Sequence, residues 1–299
     1  MCTYHSPVML RESVAALAIR PNGIYVDATF GGGGHARAIL AQLQNGRLYA
    51  FDQDADAAIN APNDSRFVFI RNNFKYLQNC LHYLGCTEVD GILADLGVSS
   101  HQFDTGERGF SFRFDAALDM RMNQNAPLTA AKILNHYAEE ELERIFRQYG
   151  EIPQSRRIAA LIVKIRAQKP ILHTGDLQAA VESVIPRLHA HKFLATLYQS
   201  LRIEVNGEMA ALEALLEQSL RLLKSGGRLV VITYHSLEDR LVKNFMRSGN
   251  IEGTLNKDFY GNNETPFTVV TKKALLPLPQ ETTLNNRARS AKLRVAEKR

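Results

Sequence analysis

The run Val26-Asp27-Ala28-Thr29-Phe30-Gly31-Gly32-Gly33-Gly34-His35 constrains this chain more than any other stretch. An apolar segment, Ile24-Tyr25-Val26, stops at an acid, four glycines follow, and residues 36–43 read as helix. Glycine reaches φ > 0 and lets a ligand approach the main chain. A helix start offers free N–H groups. The pattern therefore predicts strand, tight turn and helix, the first unit of a nucleotide-binding α/β sheet. The spacing Gly31-x-Gly33-x-x-Ala36 also satisfies the dinucleotide fingerprint. Alone that is a weak signal, and a glycine turn with no ligand competes with it.

Asp27 separates the candidate nucleotides. A carboxylate beside the turn repels a pyrophosphate but suits an amino group or a sulfonium. S-adenosylmethionine carries both and has no phosphate. Asp52 follows the glycines by the usual ~20 residues, after Leu48-Tyr49-Ala50-Phe51, where an acid accepts both ribose hydroxyls. These residues favour S-adenosylmethionine over a dinucleotide.

Strand-like runs at 67–70 and 89–96 alternate with helical ones at 54–60 and 74–84, which argues for a parallel sheet. From about 105 to 125 the chain is irregular and rich in Arg, Asp, Phe and Met. Helical patterns then dominate: 138–149, 156–168, 176–185, and one long pattern over 193–223 with an irregularity at Asn206-Gly207. Ser225-Gly226-Gly227 ends that pattern, 228–233 returns to strand and 236–247 to helix. Residues 250–265 read as polar loop, and 267–270 with 291–295 as a closing strand pair. This predicts an α/β protein whose sheet domain is interrupted by an all-helical insertion. The expected segments are 1–104 and 206–299 for the sheet domain and 105–205 for the insertion.

At 299 residues the length prior is about two domains. No run of ~18 apolar residues occurs, which argues against a membrane helix. The first seven residues lack the features of a secretory signal. Cys2, Cys80 and Cys86 form no metal pattern, and a reduced cytoplasm is the expected home. A net charge of +5 is compatible with nucleic acid without demanding it.

Further blocks carry a resemblance. They are His5 to Glu12, Asp90 to Ser100, Glu107-Arg108-Gly109-Phe110-Ser111-Phe112, Leu118-Asp119-Met120-Arg121-Met122, Tyr149-Gly150-Glu151, Arg157-Ile158-Ala159, Arg202-Ile203 with Val205-Asn206, Tyr234 to Arg240, and Arg287-Ala288-Arg289-Ser290. Together with the glycine turn they stand in the order found in the bacterial ribosomal RNA small-subunit methyltransferase H, or MraW, family, which this chain resembles nearly end to end. The resemblance implies a class I (Rossmann-like) S-adenosylmethionine-dependent methyltransferase domain with an inserted helical substrate-recognition domain. It implies methylation of the exocyclic N4 of a cytidine in the decoding region of 16S ribosomal RNA, within the small ribosomal subunit. It also implies that Gly33, Gly34 and His35 hold the methionine end of the cofactor, Asp52 the ribose, that Phe74 lies by the adenine, and that Asp95 and Gln102 complete the site. Departures include His101 before Gln102, Ala116-Ala117 before Leu118, Tyr234 for phenylalanine, and Asn286 before Arg287.

N4 of cytosine is a poor nucleophile because its lone pair is delocalised into the ring. A strand-end carboxylate that accepts its N–H localises that pair, and Asp95 is the candidate catalytic residue. Bland readings stand beside each of these. His35 reads equally as a helix-start cap, Phe74 as core, and His235 as a structural histidine. Ser236 lacks a nucleophile elbow, so no hydrolase triad is read. Arg108, Arg113 and Arg121 near Phe110, Phe112 and Phe114 suit phosphate contact and base stacking. Arg287, Arg289, Lys292, Arg294, Lys298 and Arg299 add a second basic segment, and the two are expected to form one RNA-facing surface. The competing functions are a non-enzymatic RNA-binding assembly factor and a nicotinamide-dependent dehydrogenase. A homodimer is left open.

Overall fold

A computed structural model describes residues 7–99, 106–261 and 263–299. The chain divides into two compact units, Met1–Gly97 with Met209–Arg299, and Val98–Glu208.

The first unit is a sheet of seven strands: β1 Ile24–Asp27, β2 Arg47–Asp52, β3 Phe67–Arg71, β4 Val89–Asp95, β5 Leu223–Thr233, β6 Phe267–Val269 and β7 Lys292–Lys298. Their order is 3-2-1-4-5-7-6. Strands β1 to β5 pair in parallel, and β7 runs antiparallel between β5 and β6. Alternate residues explain why the strands read as continuous apolar runs. Val26, Tyr49, Phe51, Ile92, Ala94, Leu229 and Val231 join one core cluster. Tyr25, Leu48, Ala50, Leu93, Val230 and Ile232 join another. Both faces are covered by helices, as a parallel sheet requires. Helix α1 (Leu10–Ala16) and α2 (Gly34–Leu40) supply Val14, Ile39 and Leu40 on one side. Helix α3 (Leu77–Tyr83), a long helix Glu208–Leu222 and the helix Ser236–Ser248 supply Leu81, Leu215 and Phe245 on the other.

The strand order reverses between β1 and β4. In open α/β sheets that crevice, at the carboxyl ends of the strands, is where ligands bind. Asp27 ends β1 and Asp95 ends β4.

The second unit contains α4 Ala130–His136, α5 Glu139–Gln148, α6 Ser155–Arg166, α7 Thr174–Val181 and α8 Ala190–Asn206. Each helix turns an apolar stripe inward: Ile133 and Leu134, Leu142 and Phe146, Ile158 and Ile162, Leu177, and Leu197 and Leu201 meet in one core. The irregular segment before α4 is tied to α8 by Asn206. Its side-chain oxygen accepts the Met122 N–H at 2.8 Å, and its amide donates to the Met120 carbonyl at 2.8 Å.

Three local expectations change. The long helix over 193–223 is two, α8 and α9 (Glu208–Leu222), because Gly207 adopts φ 60° and its N–H closes α8 on Ile203 and Glu204. Residues Ser225 to Gly227 do not end a helix but lie within β5, where the register against β4 slips between Val89 and Gly91. The polar loop after α10 (Ser236–Ser248) holds a small ribbon pairing 256–257 with 263–264, and a short helix, α11 (Pro279–Leu284), precedes β7.

Candidate active site

Register places the acids. Asp27 pairs with Ala50 on one side and Leu93 on the other. Asp52 and Asp95 therefore stand two residues further along, on the strands flanking Asp27. Asp27 is 1% exposed. Its Oδ1 accepts the Thr29 N–H at 3.1 Å, while Oδ2 is buried with no hydrogen-bond partner among the described residues. Burial, aided by Asp52, pushes the Asp27 carboxyl up to about 7. Burial does the same to Asp95, also to about 7, with Asp27, Glu238 and Glu281 adding to the rise and a bond from Tyr234 opposing it. Two carboxyls held near neutrality at a switch point are poised for a cation or a proton.

The glycine turn serves the fold directly. Gly33 has φ 72°, and a Cβ there would sit 2.8 Å from the Phe30 ring. A Cβ on Gly34 would meet Pro7 Cγ at 2.0 Å. Asp52 latches this turn, since its Oδ2 accepts the Gly31 N–H at 2.8 Å and its Oδ1 the Asp54 N–H at 2.8 Å. His35 is 5% exposed and is no N-cap, a place that Gly33 takes. Its Nε2 faces the Val8 carbonyl at 3.2 Å and its Nδ1 lies 3.9 Å from Asp95 Oδ2. Burial lowers its pKa to about 4, so the ring is neutral at neutral pH. Phe74 is half-buried at the start of the turn before α3 and packs on the core beneath the sheet. Gln102 lies outside the described residues.

Sequence reading missed what surrounds Asp95. The Tyr234 hydroxyl donates to Asp95 Oδ1 at 2.7 Å, and the Asp95 N–H donates to Thr29 Oγ1 at 2.6 Å. Tyr234 follows β5, the strand next to β4, and its place beside the switch point was the available signal. His235 is the N-cap of α10. Its Nδ1 accepts the Glu238 N–H at 3.4 Å, and Glu238 Oε2 accepts the N–H groups of Tyr234 and His235 at 2.8 and 3.3 Å. This capping box gives His235 a structural part at the start of α10 through its Nδ1.

The basic residues divide differently from expectation. Arg108 is 9% exposed, donates to the carbonyls of Arg121 and Met122 at 2.7 and 3.1 Å, and lies over the Phe110 ring at 5.6 Å. Arg121 forms a two-pronged bond to Asp119 at 2.7 Å and a third to the Ala126 carbonyl. Both arginines tie the irregular segment together. Phe110 is buried, and Phe112 packs edge-on against His191 and Tyr198. Of that group Arg113 and Phe114 are exposed. In the second basic segment Lys292 and Arg294 pair with Asp239, and Lys298 donates to the Leu223 carbonyl. Arg289 and Arg299 are exposed. Replacing Arg108 by alanine is expected to cost about 2–3 kcal/mol, since two buried carbonyls lose a charged donor. The check is a fall in denaturant midpoint.

A family model described as the MraW methylase family matches residues 2–299. The chain belongs to this family. Ribosomal RNA small subunit methyltransferase H of Parabacteroides distasonis is 57% identical over 297 residues, 99% of this chain and 97% of the relative. The protein of the same name from Phocaeicola vulgatus is 56% identical over 99% of this chain and 98% of its own length. Among solved structures, an rRNA methylase from Streptococcus thermophilus has a TM-score of 0.42 at 16% identity, covering 100% of this chain and 99% of that one. As a member of the MraW methylase family the chain is a methyltransferase, and its donor is S-adenosylmethionine. Membership sets aside the dehydrogenase and the non-enzymatic assembly factor. The residues present fit that donor. A buried carboxylate oxygen without a partner, beside two further acids, matches a sulfonium and an ammonium and would repel a pyrophosphate. Among the described residues no helix is long and apolar enough to cross a membrane.

Proposed function

We propose that this methyltransferase modifies the exocyclic N4 of a cytidine in the decoding region of 16S ribosomal RNA, within the small ribosomal subunit. The observation that carries the reading is the 57% identity, over nearly the whole length, to a protein named for small-subunit ribosomal RNA. The site's chemistry supports it. The donor, when bound, supplies an electrophilic methyl on a sulfonium, a good leaving group. Asp95 accepts an N–H of the amine, which localises the lone pair for in-line attack, and the amine proton passes to Asp95 as the N–C bond forms. Asp27 and Asp95 hold the positive charge, Asp52 takes the ribose, Gly33, Gly34 and His35 the methionine end, and Phe74 the adenine side, with Gln102 completing the site. The helical unit, residues 98–208, recognises RNA, with exposed Arg113, Phe114, Arg156, Arg157 and Lys164 as phosphate and base contacts. The compartment is the cytoplasm.

The test is methyl transfer from labelled S-adenosylmethionine to small subunits lacking the modification, with mass mapping of the product nucleoside. N4-methylated cytidine at one decoding-region position is the expected product. Label in another nucleoside, or in large-subunit RNA, would overturn the assignment.

A further inference from the structure

Asp95 is gripped from several sides, and the grips are unequal on its two oxygens. Oδ1 accepts the Tyr234 hydroxyl at 2.7 Å. Oδ2 faces His35 Nδ1 at 3.9 Å. The main chain beneath is fixed as well, since the Asp95 N–H goes to Thr29 Oγ1 and the Leu96 N–H to the Ile232 carbonyl at 3.0 Å. The carboxylate therefore has little freedom to exchange its oxygens.

The tautomer of His35 follows from its partner. Nε2 faces the Val8 carbonyl at 3.2 Å, and a carbonyl only accepts, so Nε2 carries the hydrogen. Nδ1 then carries a lone pair, 3.9 Å from Asp95 Oδ2. Two acceptors facing each other attract only when a proton sits between them. The side chain of Asp95 keeps 21% of its surface exposed.

We infer that Tyr234 is a positioning residue, whose hydroxyl occupies Asp95 Oδ1 and so makes Oδ2, opposite His35, the oxygen that takes the proton released in methyl transfer. The inference rests on Asp95 being the acceptor, as proposed above. The balance closes. The N4–carbon bond forms, the carbon–sulfur bond breaks, and its electron pair goes to sulfur, cancelling the sulfonium charge. The amine proton goes to Asp95 Oδ2, cancelling the carboxylate charge. His35 does not become charged; its neutral Nδ1, 3.9 Å from Oδ2, places no positive charge there to oppose protonation.

Other groups act on Asp95 too. Asp27 from β1, Glu238 from α10 and Glu281 from α11 all disfavour its ionised form, and Tyr234 opposes them. Removing the hydroxyl while keeping the ring, Tyr234→Phe, removes the donor that opposes them. The expected result is a rise of about one unit in the Asp95 titration, read by carboxyl carbon NMR on the donor-free protein. The acidic limb of kcat moves up with it. At pH 7 kcat falls several-fold and recovers by pH 9, while KM for the donor stays within about twofold. Site-specific 3-fluorotyrosine at 234, a stronger donor, moves the titration the other way. An unshifted carboxyl titration, or a loss of kcat equal at every pH, overturns the inference. The NMR titration needs no RNA. A wrong product nucleoside therefore sinks the substrate assignment and leaves Tyr234 untouched, whereas an unshifted carboxyl beside the correct nucleoside sinks this inference alone.

Discussion

Asp27→Asn is expected to give a protein that is more stable at pH 8 and binds its donor about 10–100-fold more weakly. The folded state buries this carboxyl at 1% exposure and leaves Oδ2 without a partner among the described residues. Its pKa is about 7, against 3.8 for the ordinary group, with burial as the main cause. A carboxyl raised in this way contributes stability that is fully present below pH 4 and is lost as pH rises through about 7. Asparagine keeps the acceptor for the Thr29 N–H and never ionises. It leaves a buried amide hydrogen pair, which offsets part of the gain, so the net expectation is about 1–3 kcal/mol at pH 8. At pH 5, where Asp27 holds a proton, the two proteins should melt nearly together. His35, lowered to about 4, works in the opposite direction as pH falls below 6.5, but it is common to both proteins and cancels in the difference. The donor's cation loses an ionic partner in the variant, and its affinity should lack the rise with pH, up to about 7, that is expected of the wild type. Equal melting curves at pH 8, or unchanged donor affinity, would refute the assignment of Asp27 as the buried counter-charge. Such a trade of stability for a ready site is common where function needs an unsatisfied group.

The strand ends were legible for physical reasons. A parallel sheet with both faces buried writes its strands as unbroken apolar runs, and three of those runs here stop at an aspartate. Asp27, Asp52 and Asp95 could thus be placed at strand ends, and their neighbourhood follows once the strand order is known. The roles of the glycines were less legible. The sequence shows that residues 31–34 lack side chains, but not that Pro7 lies where a Gly34 Cβ would be. Long-range approaches of that kind have no local signature.

The arginines were the least legible. An arginine beside phenylalanines reads alike whether it meets a phosphate or a carbonyl. Arg121 differs from Arg113 only in having Asp119 two residues before it, and that spacing sets the two-pronged pair. Arg294 meets Asp239 across 55 residues, which no local pattern reports. Within both basic segments several of the charges expected to form an RNA-facing surface already have partners inside the protein. In a folded chain charged side chains first satisfy buried backbone and each other, and what remains outside is a smaller set.

Asp95→Asn should be the most damaging single exchange for turnover, with a fall in kcat of about 100-fold or more. The amide copies the carboxylate's shape. With its oxygen where Oδ1 stands it still receives the Tyr234 hydroxyl, and its NH2 group takes the place of Oδ2, 3.9 Å from the neutral His35 Nδ1. Folding is therefore retained, and stability at pH 8 should rise, because a carboxyl raised to about 7 by burial no longer ionises inside the protein. What is lost is the acceptor. In the proposed mechanism Oδ2 takes the proton of the acceptor amine; the variant presents hydrogens there, so that amine keeps its lone pair delocalised. The residual rate should be flat with pH, since the group that set the acidic limb is gone. Donor affinity should weaken less than about tenfold, because Asp27, the other proposed counter-charge, is unchanged. A kcat within threefold of wild type would remove Asp95 from the chemistry. A tenfold or larger loss in donor affinity with kcat preserved would make it a binding residue only. The two outcomes are separated by measuring donor binding directly and turnover at saturating donor, so the role of this carboxyl is decided without reference to which nucleotide the enzyme modifies.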